Sequence, residues 1–160
     1  MFLAVTARLF VFPAEGIPSH VDAGLILAGP GYADRIAVGA QLAEQRRAAA
    51  FLISRGTPHS QPGSCPRYPG GVRVICFNPS PATTQGEAQF AGRLARQQRW
   101  KSVAIVTIAP QDTRARLRMR RCYPGSVYVL TTPPATADWP YEIAYEWGAT
   151  LKALLLQRRC

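Results

Sequence analysis

"VAIVTIAPQDTRARLRMRRC", residues 103 to 122, holds a strand, a turn and a helix in one short run. Val103 to Thr107 are apolar or β-branched with no polar alternation, the pattern of a strand covered on both faces. Pro110 suits the first turn of a helix, where its missing N–H has no partner to lose, and Gln111 and Asp112 favour the positive end of the helix dipole. Five arginines follow, from Arg114 to Arg121. A covered strand running directly into a helix is one unit of strand-helix alternation, so the rest of the chain is read for more such units.

Four further apolar segments read as strands: "AGLILA" at 23 to 28, "AFLIS" at 50 to 54, "VRVICF" at 72 to 77 and "VYVL" at 127 to 130. Between them, residues 34 to 47 place Ile36, Ala40 and Ala43 at helical spacing, and residues 85 to 98 do the same with Ala88, Ala91, Leu94 and Ala95. A last helix is expected from Tyr141 to Gln157. Alternation of this kind predicts an α/β domain with a mostly parallel sheet of about five strands and helices on both faces. The 160 residues fit one domain. It is expected over 21 to 160, after an N-terminal extension or anchor stub at 1 to 20. The apolar run "MFLAVTARLFVF" is broken by Arg8 and closed by Pro13, short of the ~20 residues of a transmembrane helix. It lacks the basic n-region and cleavage site of a signal peptide. It reads as the stub of a longer anchor or as a strand lying on the body of the domain.

The formal net charge is +10, and 17 of the 19 basic residues are Arg. Such an excess suits an acidic partner, either nucleic acid or an anionic membrane, or simply a solvated basic surface. Cys65, Cys76, Cys122 and Cys160 lack the paired spacing of a zinc site, and only His20 and His59 could assist them, so no metal is expected. Cys65 and Cys76 flank a loop, Arg55 to Gly71, with four Pro and four Gly, and are the first candidates for a disulfide. A reducing cytosol would leave all four as thiols.

Ligands of open α/β sheets bind beyond the carboxyl ends of the strands, facing helix N-termini. There the first strand offers Gly29 and Gly31, with Asp34 as an N-cap and Arg35 in the first helical turn. The turn departs from a dinucleotide fingerprint, since Pro30 removes an N–H and the third glycine is absent. The second strand ends at Ser54 and Gly56. After the third, Thr84 and Glu87 have the T-x-x-E spacing of a capping box, which competes with a ligand role for Glu87. The fourth ends at Thr107 and leads to Gln111 and Arg114. Arg114 lies one turn into its helix and can reach the cleft, whereas Arg116, Arg118, Arg120 and Arg121 are expected on a solvated face. Glu142 and Glu146, at i and i+4 on the last helix, are read as surface residues without chemistry. Nucleophile elbows, phosphate loops and H-E-x-x-H are absent from the sequence.

The succession "VDAGLILAGPG…R", "FLISRG", "ATTQGEAQFAGRL" and "VAIVTIAPQDTRAR" resembles the YdcF-like, or SanA-like, proteins of domain of unknown function 218, over about Pro13 to Gln157. Asp22, Gly29, Arg35, Ser54, Gly56, Thr84, Thr107 and Arg114 match the pattern. Arg55, Gly86 with Glu87, Ile108 and Gln111 depart from it. Glutamine at 111, where the family has histidine, cannot exchange a proton near neutral pH. The resemblance implies a single Rossmann-like three-layer domain, often membrane-anchored and tied to the bacterial cell envelope, with a basic cleft for a phosphorylated or nucleotide-like ligand. S-adenosylmethionine binding, attached to one branch of the family, is carried as a cofactor expectation.

Two expectations follow. In the first, Arg35 and Arg114 clamp a small anionic ligand, Gly29, Gly31 and Gly56 admit it to the backbone, Ser54, Thr84 and Thr107 line the cleft, and Glu87 or Gln111 orients the ligand or a water. Turnover is left open. In the second, the arginine-rich helix 113–121 is an interaction module for nucleic acid or anionic membrane. The resemblance implies a cell-envelope or membrane-associated location, with the cytoplasm as the alternative.

Overall fold

The computed structural model describes residues 1–14, 16–56 and 65–160. His59 and the middle of the Pro/Gly-rich loop therefore lie outside the described residues. Five strands, β1 (Val21–Ile26), β2 (Ala48–Ser54), β3 (Arg73–Phe77), β4 (Ser102–Ile108) and β5 (Ser126–Thr132), form one sheet in the order β3-β2-β1-β4-β5. All four pairings are parallel. Each strand begins and ends within two residues of the sequence expectation. The helices are α1 (Phe2–Thr6), α2 (Tyr32–Glu44), α3 (Thr84–Gln97), α4 (Asp112–Cys122) and α5 (Trp139–Leu155).

Strand periodicity explains why the sheet needs helices on both sides. Leu25, Leu52 and Ile105 point to the face covered by α3 and α4, where Ala91, Ala95 and Met119 meet them. Their neighbours Ile26, Phe51, Ile53 and Val106 point the other way, to Leu42 and Ala43 of α2 and to Tyr68. The result is a three-layer Rossmann-like α/β domain. Tyr68 shows that the loop after β2 is packed at its far end, with its hydroxyl donating to Ile36 O at 3.1 Å. The Cys65–Cys76 disulfide expected from the sequence is present and anchors this loop to β3. A second disulfide joins Cys122, at the end of α4, to Cys160.

The N-terminal run is helical rather than a strand. α1 continues as a wider turn through Ala7–Val11. The reason is spacing: Phe2, Thr6 and Phe10 recur every four residues, so a helix turns all three toward Trp147 of α5. Phe2 stacks on that indole with centroids 5.4 Å apart, Phe10 meets it edge-on at 5.1 Å, and Trp147 Nε1 donates to Thr6 Oγ1 at 3.2 Å. Gly16 bridges antiparallel to Val129, so the chain entering β1 lies along edge strand β5. Among the described residues no helix is long and apolar enough to cross a membrane.

Candidate functional site

Strand order reverses between β1 and β4, which places a crevice at their carboxyl ends. A cleft of about 530 Å³ opens there, between the turns after β1, β2 and β4, the N-terminus of α3 and one side of α5. Of the residues expected from sequence, Gly29, Gly56, Thr84, Glu87, Gln111 and Arg114 line it, while Arg35, Ser54 and Thr107 are buried outside its lining and Gly31 is exposed outside it.

The turn after β1 is built around Arg35, and its role differs from the anion clamp expected. The side chain is wholly buried. Its guanidinium donates to the carbonyls of Ala28 at 3.1 Å, Gly29 at 2.5 Å and Pro30 at 2.6 Å. Burial pulls its pKa down to about 10, partly opposed by the charge of Glu87, so it remains a cation at neutral pH. An arginine committed to three carbonyls holds the loop rather than a ligand. Gly31, not Asp34, caps α2, in the left-handed conformation (φ 69°) that a glycine takes without strain.

The T-x-x-E reading of α3 is corrected as well. Thr83 is the N-cap, its side chain accepting from Gly86 N. Position 86 admits only glycine, because a Cβ there would lie 1.9 Å from the carbonyl oxygen of Pro81. Freed from capping, Glu87 accepts the backbone N–H of Ala28 at 2.8 Å and binds Ser54, joining the turn after β1 to α3. Its burial raises the carboxyl pKa, and those two hydrogen bonds only partly oppose the shift.

From β4 a polar chain crosses the floor. The Thr107 hydroxyl donates to Gln111 Oε1 at 2.6 Å, and Gln111 Nε2 donates to Thr84 Oγ1 at 2.9 Å. Arg114 Nη1 donates to the same oxygen at 2.8 Å. With both acceptor positions filled by cationic or amide N–H groups, the Thr84 hydroxyl proton is directed elsewhere, and Thr84 borders the cleft. Gln111 is thus a structural bridge. Arg114 grips Glu146 with a two-pronged pair, Nε to Oε2 at 2.7 Å and Nη2 to Oε1 at 2.5 Å. Burial alone would lower the Arg114 pKa; the hydrogen bonds and charge of Glu146 outweigh it and raise it. The guanidinium also lies 5.7 Å from the Tyr145 ring.

Glu142 and Glu146 are therefore not surface residues. They are 7% and 1% exposed, and both line the cleft. The signal available in the sequence was the pairing of two acids at i,i+4 with a run of arginines on another helix. Tyr145 and Lys152 of α5 also border the cleft, as does Arg118. Arg118 is itself buried and bonds Gln157 through its backbone and side-chain oxygens, against the expectation of a solvated face. Asp22, matched to the family pattern, sits at the opposite end of the sheet. It accepts from Lys101 N at 2.8 Å and Ser102 N at 2.9 Å, a staple between β1 and β4.

No group of side chains able to hold a metal ion occurs among the described residues. The residues present do not fit S-adenosylmethionine: the carbonyls of the turn after β1, which would have to meet its ammonium and sulfonium charges, are occupied by the Arg35 guanidinium. Compared with known protein families, characterised proteins and solved structures, the chain has no match.

Proposed function

We propose that this chain is a YdcF-like domain that binds a small anionic ligand, phosphorylated or nucleotide-like, in the cleft at the strand carboxyl ends. One observation carries the reading: the N-terminus of α3, Arg114 and Lys152 converge on the crevice where the strand order reverses. The first amides of α3, at Thr84 and Gln85, have no carbonyl partner within their helix and form the positive end of its dipole. An oxyanion seated there would accept from those amides, from the Thr84 hydroxyl and from a remaining N–H of Arg114. The two disulfides favour an oxidising compartment, consistent with a place in the cell envelope.

The interaction-module reading loses support from the same geometry. Arg116 pairs with Asp112 at 2.9 Å and also donates to Ala14 O. Arg121 donates to the carbonyls of Ala153 and Gln157, and of the five arginines on α4 only Arg120 is exposed. A helix whose cations are turned inward offers few to a phosphate backbone.

The test is calorimetric titration of inorganic phosphate and pyrophosphate into the protein and into a variant with both Arg114→Gln and Glu146→Gln. Removing both partners avoids leaving a buried charge alone. Binding by the wild type and a loss of about tenfold or more in the double variant supports the cleft. Equal binding by both proteins rejects it.

A further inference from the structure

We propose that the anionic ligand of this cleft enters together with a proton carried by Glu142, whose neutral carboxyl donates a hydrogen bond to it. This inference rests on the ligand reading above and adds the chemistry of the wall opposite α3. Every other carboxylate of the cleft already has a partner. Glu146 is held by both prongs of Arg114, and Glu87 is held by the Ala28 amide and Ser54. Glu142 lines the same cleft and is 7% exposed, yet among the described residues no hydrogen bond or ion pair satisfies it. Its oxygens open to the cleft, so with no donor from the protein they hold a proton or take their hydrogen bonds from water or a ligand.

The surrounding charges decide between them. On its own side of the fold, Glu146 and Asp138 repel a carboxylate at 142; Arg114 of α4 and Arg35 of α2 attract it. Lys152, Arg118 and Glu87 complete the charged lining of the cleft. The attraction is largely spent, because Arg114 is bound to Glu146 and Arg35 to three carbonyls. Burial first, then the two neighbouring acids, raise the Glu142 pKa above the ordinary 4.5. An oxyanion at the α3 N-terminus adds negative charge to the same space and raises it further. Ligand and proton therefore strengthen one another's binding, and the coupling is reciprocal. A ligand with only acceptor atoms on this side fits; one that must be met by an ionised carboxylate does not.

Sulfate is the probe, because it keeps its double charge through the acid-to-neutral range and any pH dependence then belongs to the protein. Titration calorimetry in two buffers of different ionisation heat counts the protons taken up. The wild type is expected to take up close to one proton per sulfate at a pH between the free and ligand-bound pKa of Glu142. Its affinity should weaken by up to about tenfold per pH unit as the pH rises above the free pKa and toward the bound value. Glu142→Gln, neutral at every pH, should bind sulfate without uptake and with a flat profile, whereas Glu44→Gln, at the exposed end of α2 and outside the cleft, should retain the wild-type dependence. Sulfate binding by the wild type without proton uptake overturns the proposal and leaves the anion site standing, as does uptake that survives in Glu142→Gln. Absence of sulfate binding at any pH overturns the anion site and this proposal with it.

Discussion

Arg35 shows how a residue with the right type and position can serve a different end from the one its chemistry suggests. A guanidinium at the mouth of a parallel sheet reads as an anion clamp, yet here its fork is turned back on the turn that precedes its own helix. Glycines at 29 and 31 permit that turn, with φ of 116° and 69°, but they do not hold it. Arg35 does so, by collecting the carbonyls of Ala28, Gly29 and Pro30 on one guanidinium. Arg35→Ala should therefore cost stability as well as binding: removing this wholly buried side chain leaves a cavity and takes the shared donor from three carbonyls of the turn, a loss of about 3–5 kcal/mol in urea unfolding. Arg35→Lys should recover only part of it, because a single ammonium cannot reproduce the planar fork. Equal stability of wild type and Arg35→Ala would show that the turn holds itself.

At the scale of elements, the C-terminal end of α5 depends on α4 more than on its own sequence. Arg118 and Arg121 donate to the carbonyls of Gln157 and Ala153, groups that the end of a helix leaves without intrahelical donors. Arg118→Ala should lower stability by about 1–3 kcal/mol and speed hydrogen exchange at residues 154 to 157 while leaving β4 protected. Exchange unchanged at that end would remove Arg118 from this role. The same element marks the limit of what the sequence discloses. The strands were legible because covered apolar runs have one reading once helices alternate with them, and Arg114, Thr84 and Gln111 were legible because turns after strands deliver them to one edge. Glu142 and Glu146 were not, since i,i+4 acids look alike on a free surface and on a cleft wall. Only the packing of α5 beside α4, a long-range fact, separates the two cases. Caps failed for a nearer reason: Thr83 and Thr84 are equally good capping residues, and the choice between them follows from the close approach of Pro81 to Gly86.

For the molecule as a whole, the two disulfides divide the labour between body and cleft. Cys65–Cys76 closes a span of 11 residues beside the edge strand β3, and Cys122–Cys160 closes one of 38 residues, from the end of α4 to the tail beyond α5. On chain entropy alone the shorter span stabilises by about 3 kcal/mol and the longer by about 4 kcal/mol. Reduction of both should lower Tm by roughly ten degrees or more for a chain of this size. The two bonds should differ in what they do to binding. The tail held by Cys122–Cys160 carries Gln157, which lines the cleft and fixes Arg118 there, whereas Cys65–Cys76 lies behind the opposite sheet edge. Cys160→Ser should weaken sulfate binding several-fold beyond any effect of Cys65→Ser, measured by calorimetry at a temperature where both variants are folded. Equal effects would mean that the tail only stabilises the body, and an unchanged Tm under reductant would remove the disulfides as a reason to place the protein in an oxidising compartment.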